Sequence, residues 1–412
     1  MLVHWIWLST RPGVSDRARA ELLRHFQDAE DIYFADGEAY AVAEGLSEDA
    51  IAALCDKNLI QAEEILEECG RKDIRILTWR DAAYPGRLRN ISDPPVVLYY
   101  QGRLPDFDGL PLIAVVGTRS ASSYGLTVAK RMGYQIASCG GVVVSGMAYG
   151  IDGMAMRGAL SAGASVIGVL GCGVDIVYPL SNRALFADTQ RQGCILSEFA
   201  PGTPPQKWNF PKRNRLISGL SCGVLVVEAP EKSGALITAS QAAEQGRDVF
   251  VVPGNIDMPS CMGSNALLRD GAIAVSSGWD VLSEYAAQYP EKIHREKTAS
   301  KQNAYPDEVA MAMEDNGLKV AQKTKKPAAK AAKAKKEIDK QASNQYSDAE
   351  RKRPALSEDE AKIVALLEQG MELVDEIIAE TGKSAGAVLA ALTMLEVKGV
   401  ITRLPGKRVK LK

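Results

Sequence analysis

The chain has 412 residues, of which 46% are hydrophobic and 24% are charged, and its formal net charge is −2; these values predict a globular protein of two or three domains. A net charge near zero excludes a global basic field, so any binding to nucleic acid must come from local clusters of cations. The seven cysteines form no Cys-x-x-Cys pair and the three histidines lie far apart, which argues against a disulfide framework, a metal site and a histidine-based catalytic group; no cofactor is predicted.

The first 80 residues are predicted to form a helical domain. Their opening run, residues 2–8, is short and preceded by no Lys or Arg, so it is a poor signal peptide. No other segment is long enough to span a membrane, which predicts a cytoplasmic protein. The turns Pro12–Ser15 and Glu44–Ser47 each precede a helical stretch and resemble phosphate-binding helix-hairpin-helix turns. Serine stands where such a turn usually has a second glycine, which favours a small packing domain.

Residues 81–285 are predicted to form an α/β domain with a Rossmann-like parallel sheet. Short runs rich in β-branched residues alternate there with segments long enough for crossover helices, a pattern typical of a parallel sheet covered on both faces. Ligands of such sheets bind at the carboxyl ends of the strands. The predicted strands are residues 112–116, 142–145, 165–170, 193–197, 224–227, 249–252 and 272–275.

Glycine-containing turns follow several of these strands and predict a phosphate site. After the first strand, Arg119 stands where a dinucleotide-binding turn would have its second glycine, which disfavours a dinucleotide but not a mononucleotide. An arginine at a strand end can hold phosphate through a bidentate, charge-assisted bond. Asp152 is predicted to cap a helix rather than act as a base. The candidate phosphate-binding residues of these turns are Gly117, Arg119, Ser145, Gly146, Gly150, Gly171, Ser233 and Gly234.

The stretch 203–220 is the most informative part of the sequence, because it is cationic and no acidic residue occurs between Glu198 and Glu228. Its cations surround the start of a predicted helix, which is unfavourable for a bare helix dipole and is explained by a bound anion. Two aromatic residues among them, Trp208 and Phe210, either pack in the core or stack on bases. The candidate phosphate ligands are Lys207, Lys212, Arg213, Asn214 and Arg215.

Residues 286–355 are predicted to be a flexible basic linker, since Lys319 to Arg353 contains twelve basic and four acidic residues. Residues 356–412 regain a folded pattern. Ser357 and Glu360 make a capping box, and three helical stretches followed by a hairpin pattern predict a winged helix. Its nearly neutral charge leaves a DNA-binding wing and a protein-docking module equally open.

These motifs together resemble the bacterial DNA-processing protein A family, also called Smf. The resemblance covers most of residues 95–285 in the family's order. The matching segments are Val116–Arg119, Ser145–Asp152, Leu170–Asp175 with Tyr178-Pro179, Phe210–Arg215, Ser233–Ala239 and Val252–Gly254. The N-terminal region looks like the family's sterile-alpha-motif-like module, and the C-terminal region is similar to its winged helix.

The resemblance implies an extended Rossmann-like domain that binds single-stranded DNA and is not an enzyme. It also implies protection of incoming DNA, loading of the RecA recombinase during natural transformation of competent cells, and homodimerisation. Carried over to this sequence, Arg119 and the cluster Lys212–Arg215 would be phosphate contacts. From the residues themselves, apolar positions near the end of the sheet suggest a dimer interface that includes Leu268, Ile273 and Val275.

Two alternatives belong to other functional classes. The core also resembles nucleoside monophosphate phosphoribohydrolases, which would make the chain a nucleotide-processing hydrolase. Gln241 falls where their glutamate would stand, and an amide cannot act as a general base. A mononucleotide-binding regulator is the third interpretation.

Overall fold

The computed structural model describes residues 1–295 without Glu44, and residues 357–411 without 370, 372, 384, 399 and 405–407. The chain divides into two compact units, Met1–Glu308 and Val309–Lys412, and each is described by itself. Among the described residues, no helix combines the length and the apolar character needed to cross a membrane.

The N-terminal region is helical, as predicted. Its helices are α1 (Leu2–Thr10), α2 (Asp16–His25), α3 (Ala29–Phe34), α4 (Glu48–Cys55) and α5 (Ile60–Arg71). Ser15 and Ser47 cap α2 and α4, because each side chain accepts a hydrogen bond from the amide three residues later. This capping explains why serine replaces the second glycine of a phosphate-binding turn: its hydroxyl satisfies an amide that a phosphate would otherwise bind.

Within the described part of the first unit, a mixed sheet of nine strands has the order β1-β2-β6-β5-β4-β3-β7-β8-β9. The strands from β3 onward pair with one another in parallel and correspond to the predicted runs. Two antiparallel strands are additional: β1 at the edge of the sheet and β2 between β1 and β6. Strand β1 lies inside the region predicted to be wholly helical. The bounds are Arg75–Thr78, Val97–Gly102, Leu112–Val116, Val142–Ser145, Val166–Val169, Cys194–Ser197, Gly223–Val226, Asp248–Val251 and Ile273–Ala274.

Helices in the strand connections pack on this sheet. All residues of β3, β4, β5, β6 and β7 are buried, as expected for strands covered on both faces. Helix α7 packs against α8, and α10 packs against α11. The helices are α6 (Gly86–Arg89), α7 (Ser123–Ser138), α8 (Ile151–Ser161), α9 (Arg183–Gln192), α10 (Asn209–Leu220), α11 (Gly234–Glu244), α12 (Met262–Arg269) and α13 (Gly278–Ser283).

The predicted linker begins too early. Tyr289 and Ile293 are buried in the core of the first unit, and the Tyr289 hydroxyl lies 3.1 Å from Nη2 of Arg87. Residues 286–295 therefore belong to the folded unit; the prediction was wrong because two isolated apolar residues in a polar stretch show no clear periodicity. The rest of the predicted linker, through residue 355, lies outside the described residues.

The second unit contains the predicted winged helix. It consists of α14 (Glu358–Glu368), α15 (Val374–Thr381), α16 (Ala385–Val397) and the antiparallel pair β10 (Ile401–Leu404) and β11 (Arg408–Leu411). The capping box of Ser357 and Glu360 is present at the start of α14. Ile377, Leu392 and Ile401 form the centre of a separate core.

Candidate nucleic-acid interface

A cleft of about 660 Å³ lies at the carboxyl ends of the central strands, where a parallel sheet places its ligands. The turn after β3 supplies one wall, and the amino-terminal ends of α10 and α11 supply the others. The cleft brings together these predicted residues: Gly117, Arg119, Lys207, Phe210, Arg213, Asn214, Ser233 and Gly234.

Arg119 is the best-placed cation in this cleft. Its side chain is exposed, and its guanidinium carbon lies 5.1 Å from the centre of the Phe210 ring. The guanidinium of Arg213 and the ring of Tyr178 also lie against Phe210, at 5.9 Å and 5.5 Å between centres. Phe210 therefore holds Arg119 by a cation–π contact, and the base-stacking role of Phe210 stays a prediction.

Arg213 lines the cleft but is committed to the protein. It is only 3% exposed, and its Nη1 donates to the carbonyl oxygens of Gly146, at 3.0 Å, and Val169. Burial lowers the pKa of Arg213 to about 10, while the nearby Asp152 carboxylate acts in the opposite direction. Arg213 thus closes the carboxyl ends of β4 and β5, which corrects its predicted role as a free phosphate ligand.

The anion nest predicted after β4 is filled by the protein itself. The Gly146 amide donates to Oδ2 of Asp152 at 3.1 Å, so Asp152 closes this turn. Gly150 is the N-cap residue of α8, which has no side-chain cap, so the prediction that Asp152 caps the helix was wrong. Burial raises the pKa of Asp152, opposed mainly by Arg213. The fully buried Ser145 hydroxyl donates to the Val115 carbonyl oxygen at 2.7 Å. Ser145 and Gly146 are therefore structural, contrary to the prediction.

Two further glycines serve close packing rather than ligand contact. Gly150 has φ +72°, and a Cβ there would lie 2.3 Å from the Thr118 carbonyl oxygen. A Cβ on Gly171 would lie 2.9 Å from Cδ1 of Phe210. Gly150 lets the two turns meet and Gly171 makes room for the ring, which is why small residues stand at these strand ends.

The start of α11 remains open to an anion. Ser233 caps the helix, and a Cβ on Gly234 would meet nothing within 4 Å, so a ligand can approach this end of the helix dipole. The exposed Lys232 also lines the cleft, as the exposed Lys207 does. Sequence reasoning missed Lys232, although its position directly before the Ser233-Gly234 turn was an available signal.

Lys212 and Arg215 point away from the cleft, which corrects the prediction of one continuous phosphate cluster. Arg215 is 3% exposed and bonds to Glu198 at 2.7 Å, Asp93 at 2.8 Å and Asp16 at 3.0 Å. Lys212 Nζ lies 2.9 Å from Asp16 Oδ2. Residues three apart on a helix share a face, so Lys212 and Arg215 lie together on the face opposite Phe210 and Asn214.

Trp208 is 69% exposed at the start of α10, beside Lys207 in the sequence, and is available to stack on a base. Gln241, the counterpart of the hydrolase glutamate, is not among the residues lining the cleft. The carboxylate that does line it, Asp152, is buried and bonded internally. Among the described residues, the cleft therefore offers no solvent-facing carboxylate for the hydrolase chemistry.

The predicted dimer residues differ in accessibility. Ile273 is 40% exposed on the edge strand β9, and Leu268 on α12 is half-buried. Val275 is buried, and its amide donates to the Val251 carbonyl oxygen at 3.0 Å. Val275 is a core residue and is not available to a partner, because it continues the pairing of β9 with β8.

Comparison with known proteins gives consistent relatives. The family model described as DNA recombination-mediator protein A matches residues 75–286, and the DprA winged helix domain model matches residues 347–407. Protein Smf of Synechocystis sp. is 33% identical over 98% of this chain and 97% of its own. DNA processing protein DprA of Bacillus subtilis is 40% identical over 61% of this chain and 87% of its own. The X-ray structure of DprA from Streptococcus pneumoniae matches with a TM-score of 0.62 and 33% identity, covering 69% of this chain and 98% of that chain.

Proposed function

The chain belongs to the DNA recombination-mediator protein A family, and on this premise we propose that it binds single-stranded DNA in the cleft at the carboxyl ends of its central strands. One observation carries the proposal: the exposed cations Arg119, Lys207 and Lys232 and the open start of α11 converge on one cleft. Such a set neutralises a phosphate backbone without reading bases. Binding, rather than chemistry on the DNA, is the proposed activity.

A single strand suits this arrangement better than a duplex. The exposed Trp208 directly precedes the first residue of α10 and follows Lys207 in the sequence. A flexible strand can place a phosphate beside a lysine and turn its base onto an aromatic ring, whereas duplex bases are already stacked on each other.

Fluorescence anisotropy of a labelled oligothymidine with the full chain tests this proposal. We expect saturable binding whose log Kd changes with log salt by a slope of about 2, from about 0.7 per phosphate neutralised by the three exposed cations. Unlabelled duplex of equal length should compete poorly. Equal competition by duplex, or sustained release of base from a nucleotide, would contradict the proposal.

Trp208→Ala is a matched test of the stacking contact. We expect affinity to fall about fivefold or more, because base–aromatic stacking contributes about 1–3 kcal/mol per base, with little change in thermal stability. Tyr134→Ala removes another exposed ring, on α7, and should bind as the wild type does. Equal affinity of the two variants would remove Trp208 from the site.

We also propose that the chain acts in the cytoplasm during natural transformation, protecting incoming DNA and loading the RecA recombinase onto it. The family's description as a recombination mediator supports this role. The loading role is tested by measuring the rate at which recombinase filaments grow on oligothymidine coated with single-strand-binding protein, with and without this chain. If the chain binds the bare oligonucleotide but does not accelerate filament growth, only the loading role is rejected.

Homodimerisation through the edge of the sheet is the last part of the proposal. Ile273 exposes an apolar side chain on β9, and an uncovered edge strand can pair with another chain. Ile273→Asp is expected to convert a dimer into a monomer in light scattering, because the interface would have to bury a carboxylate. Ile60→Asp alters another exposed isoleucine, on α5, and should leave the dimer intact. A monomeric wild type at high concentration would contradict this interface.

A further inference from the structure

Helix α10 has two functional faces. One face turns Phe210, Arg213, Asn214 and Ile217 toward the cleft, at the spacing of one side of a helix. The opposite face carries Lys212 and Arg215. Helix α10 therefore forms part of the cleft wall with one face, while its opposite face contacts other parts of the chain.

A buried ionic cluster holds that second face. Arg215 Nη2 bonds to Glu198 Oε2 and to Asp16 Oδ2, and its Nε bonds to Asp93. Lys212 contacts Asp16 at 2.9 Å and Glu198 at 3.6 Å. The side chains of Arg215, Glu198 and Asp16 are 4%, 5% and 11% exposed. Three distant segments thus meet on one arginine: α2, the segment after α6, and the segment after β6.

The cluster is a joint between the N-terminal helices and the core. Arg19 of α2 also contacts Asp16, at 2.6 Å, which orients that carboxylate toward α10. A cavity of about 170 Å³ borders the cluster and is lined by Ser9, Asp16, Tyr99 and Glu198 among others. The directional ionic bonds of Lys212 and Arg215 to Asp16 tie α10 to α2 at this joint.

We propose that Asp16 and Glu198 are positioning residues for DNA binding. Their carboxylates bind Lys212 and Arg215, and these ionic bonds fix the orientation in which α10 presents Phe210 and Asn214 to the cleft. The inference rests on the proposed function. The N-terminal helices would then control DNA affinity without touching DNA, because Asp16 lies on α2 and reaches the site only through α10.

The sign of the effect separates positioning from plain electrostatics. Replacing Asp16 by Asn removes a negative charge and leaves Lys212 less neutralised, so charge alone would raise the affinity for DNA and steepen its salt dependence. Positioning predicts the reverse, because α10 would lose an anchor and the cleft residues would shift.

Anisotropy with labelled oligothymidine on the full-length variants tests the inference. We expect Asp16→Asn and Glu198→Gln to bind about five- to tenfold more weakly than the wild type. Asp49→Asn makes the same charge change at an exposed position on α4 and should stay within about twofold. In an Arg119→Ala background, the loss caused by Asp16→Asn should shrink, because Arg119 rests on Phe210 of the displaced helix.

Each outcome decides a different point. A wild type that does not bind oligothymidine removes the proposed function. A wild type that binds, with Asp16→Asn and Glu198→Gln binding equally or more tightly, overturns the positioning role alone. If circular dichroism shows that either variant is unfolded, Arg215→Lys replaces it; lysine keeps the charge but loses the fork that joins Asp93 to Glu198. Weaker binding by that variant supports the inference, and unchanged binding overturns it.

Discussion

Replacing Arg119 by alanine is expected to weaken the binding of single-stranded oligothymidine about tenfold or more and to reduce the salt slope by about 0.7. Arg119 is exposed at the end of β3 and lines the cleft. Its contact with Phe210 restrains the guanidinium before DNA arrives, so little side-chain freedom is lost on binding. Anisotropy titrations at several salt concentrations measure both quantities.

Two further variants make this prediction specific. Arg119→Lys should recover only part of the affinity, because an ammonium has neither the planar fork nor the same stacking on Phe210. Arg191→Ala removes a cation that is 71% exposed on α9, outside the cleft, and should bind as the wild type does. A folded Arg119→Ala chain with wild-type affinity and slope would show that the DNA does not follow this cleft.

Replacing Arg213 by leucine is expected to lower the free energy of unfolding of the first unit by about 3–5 kcal/mol, the usual cost of removing one partner from a buried charge pair. The change leaves Asp152 buried without its main compensating charge and leaves the Gly146 and Val169 carbonyl groups without the Arg213 donor. Urea unfolding followed by circular dichroism measures the loss. DNA affinity should fall as well, since Arg213 forms part of the cleft wall.

A second change at Asp152, the buried carboxylate beside Arg213, provides the control for that result. The double change Asp152→Asn with Arg213→Leu should regain part of the lost stability, because no isolated carboxylate remains in the interior. If Arg213→Leu were as stable as the wild type and lost only DNA binding, Arg213 would be a free phosphate ligand, as the sequence had suggested, and not the closure of two strand ends.

Local patterns determined most of the architecture. Buried β-branched runs separated by helical segments indicated the seven parallel strands, and the Ser357–Glu360 pair marked the start of the winged helix. The antiparallel strands β1 and β2 escaped detection because a short antiparallel strand shows its pairing only when its distant neighbour is known: β2 pairs with β6, nearly a hundred residues later.

By itself, the sequence indicated the edge of the sheet where the cleft lies, since glycine turns, Arg119 and Lys207 all fall at strand and helix ends that parallel connectivity brings to one edge. Only the tertiary structure decided which cations face that edge. Lys212 and Arg213 are neighbours in the chain, yet one turns to Asp16 and the other to the ends of β4 and β5. Helical rotation separates adjacent side chains by about 100°, and the carboxylates that neutralise Arg215 come from positions 16, 93 and 198, two of which lie far from the cationic segment in the sequence.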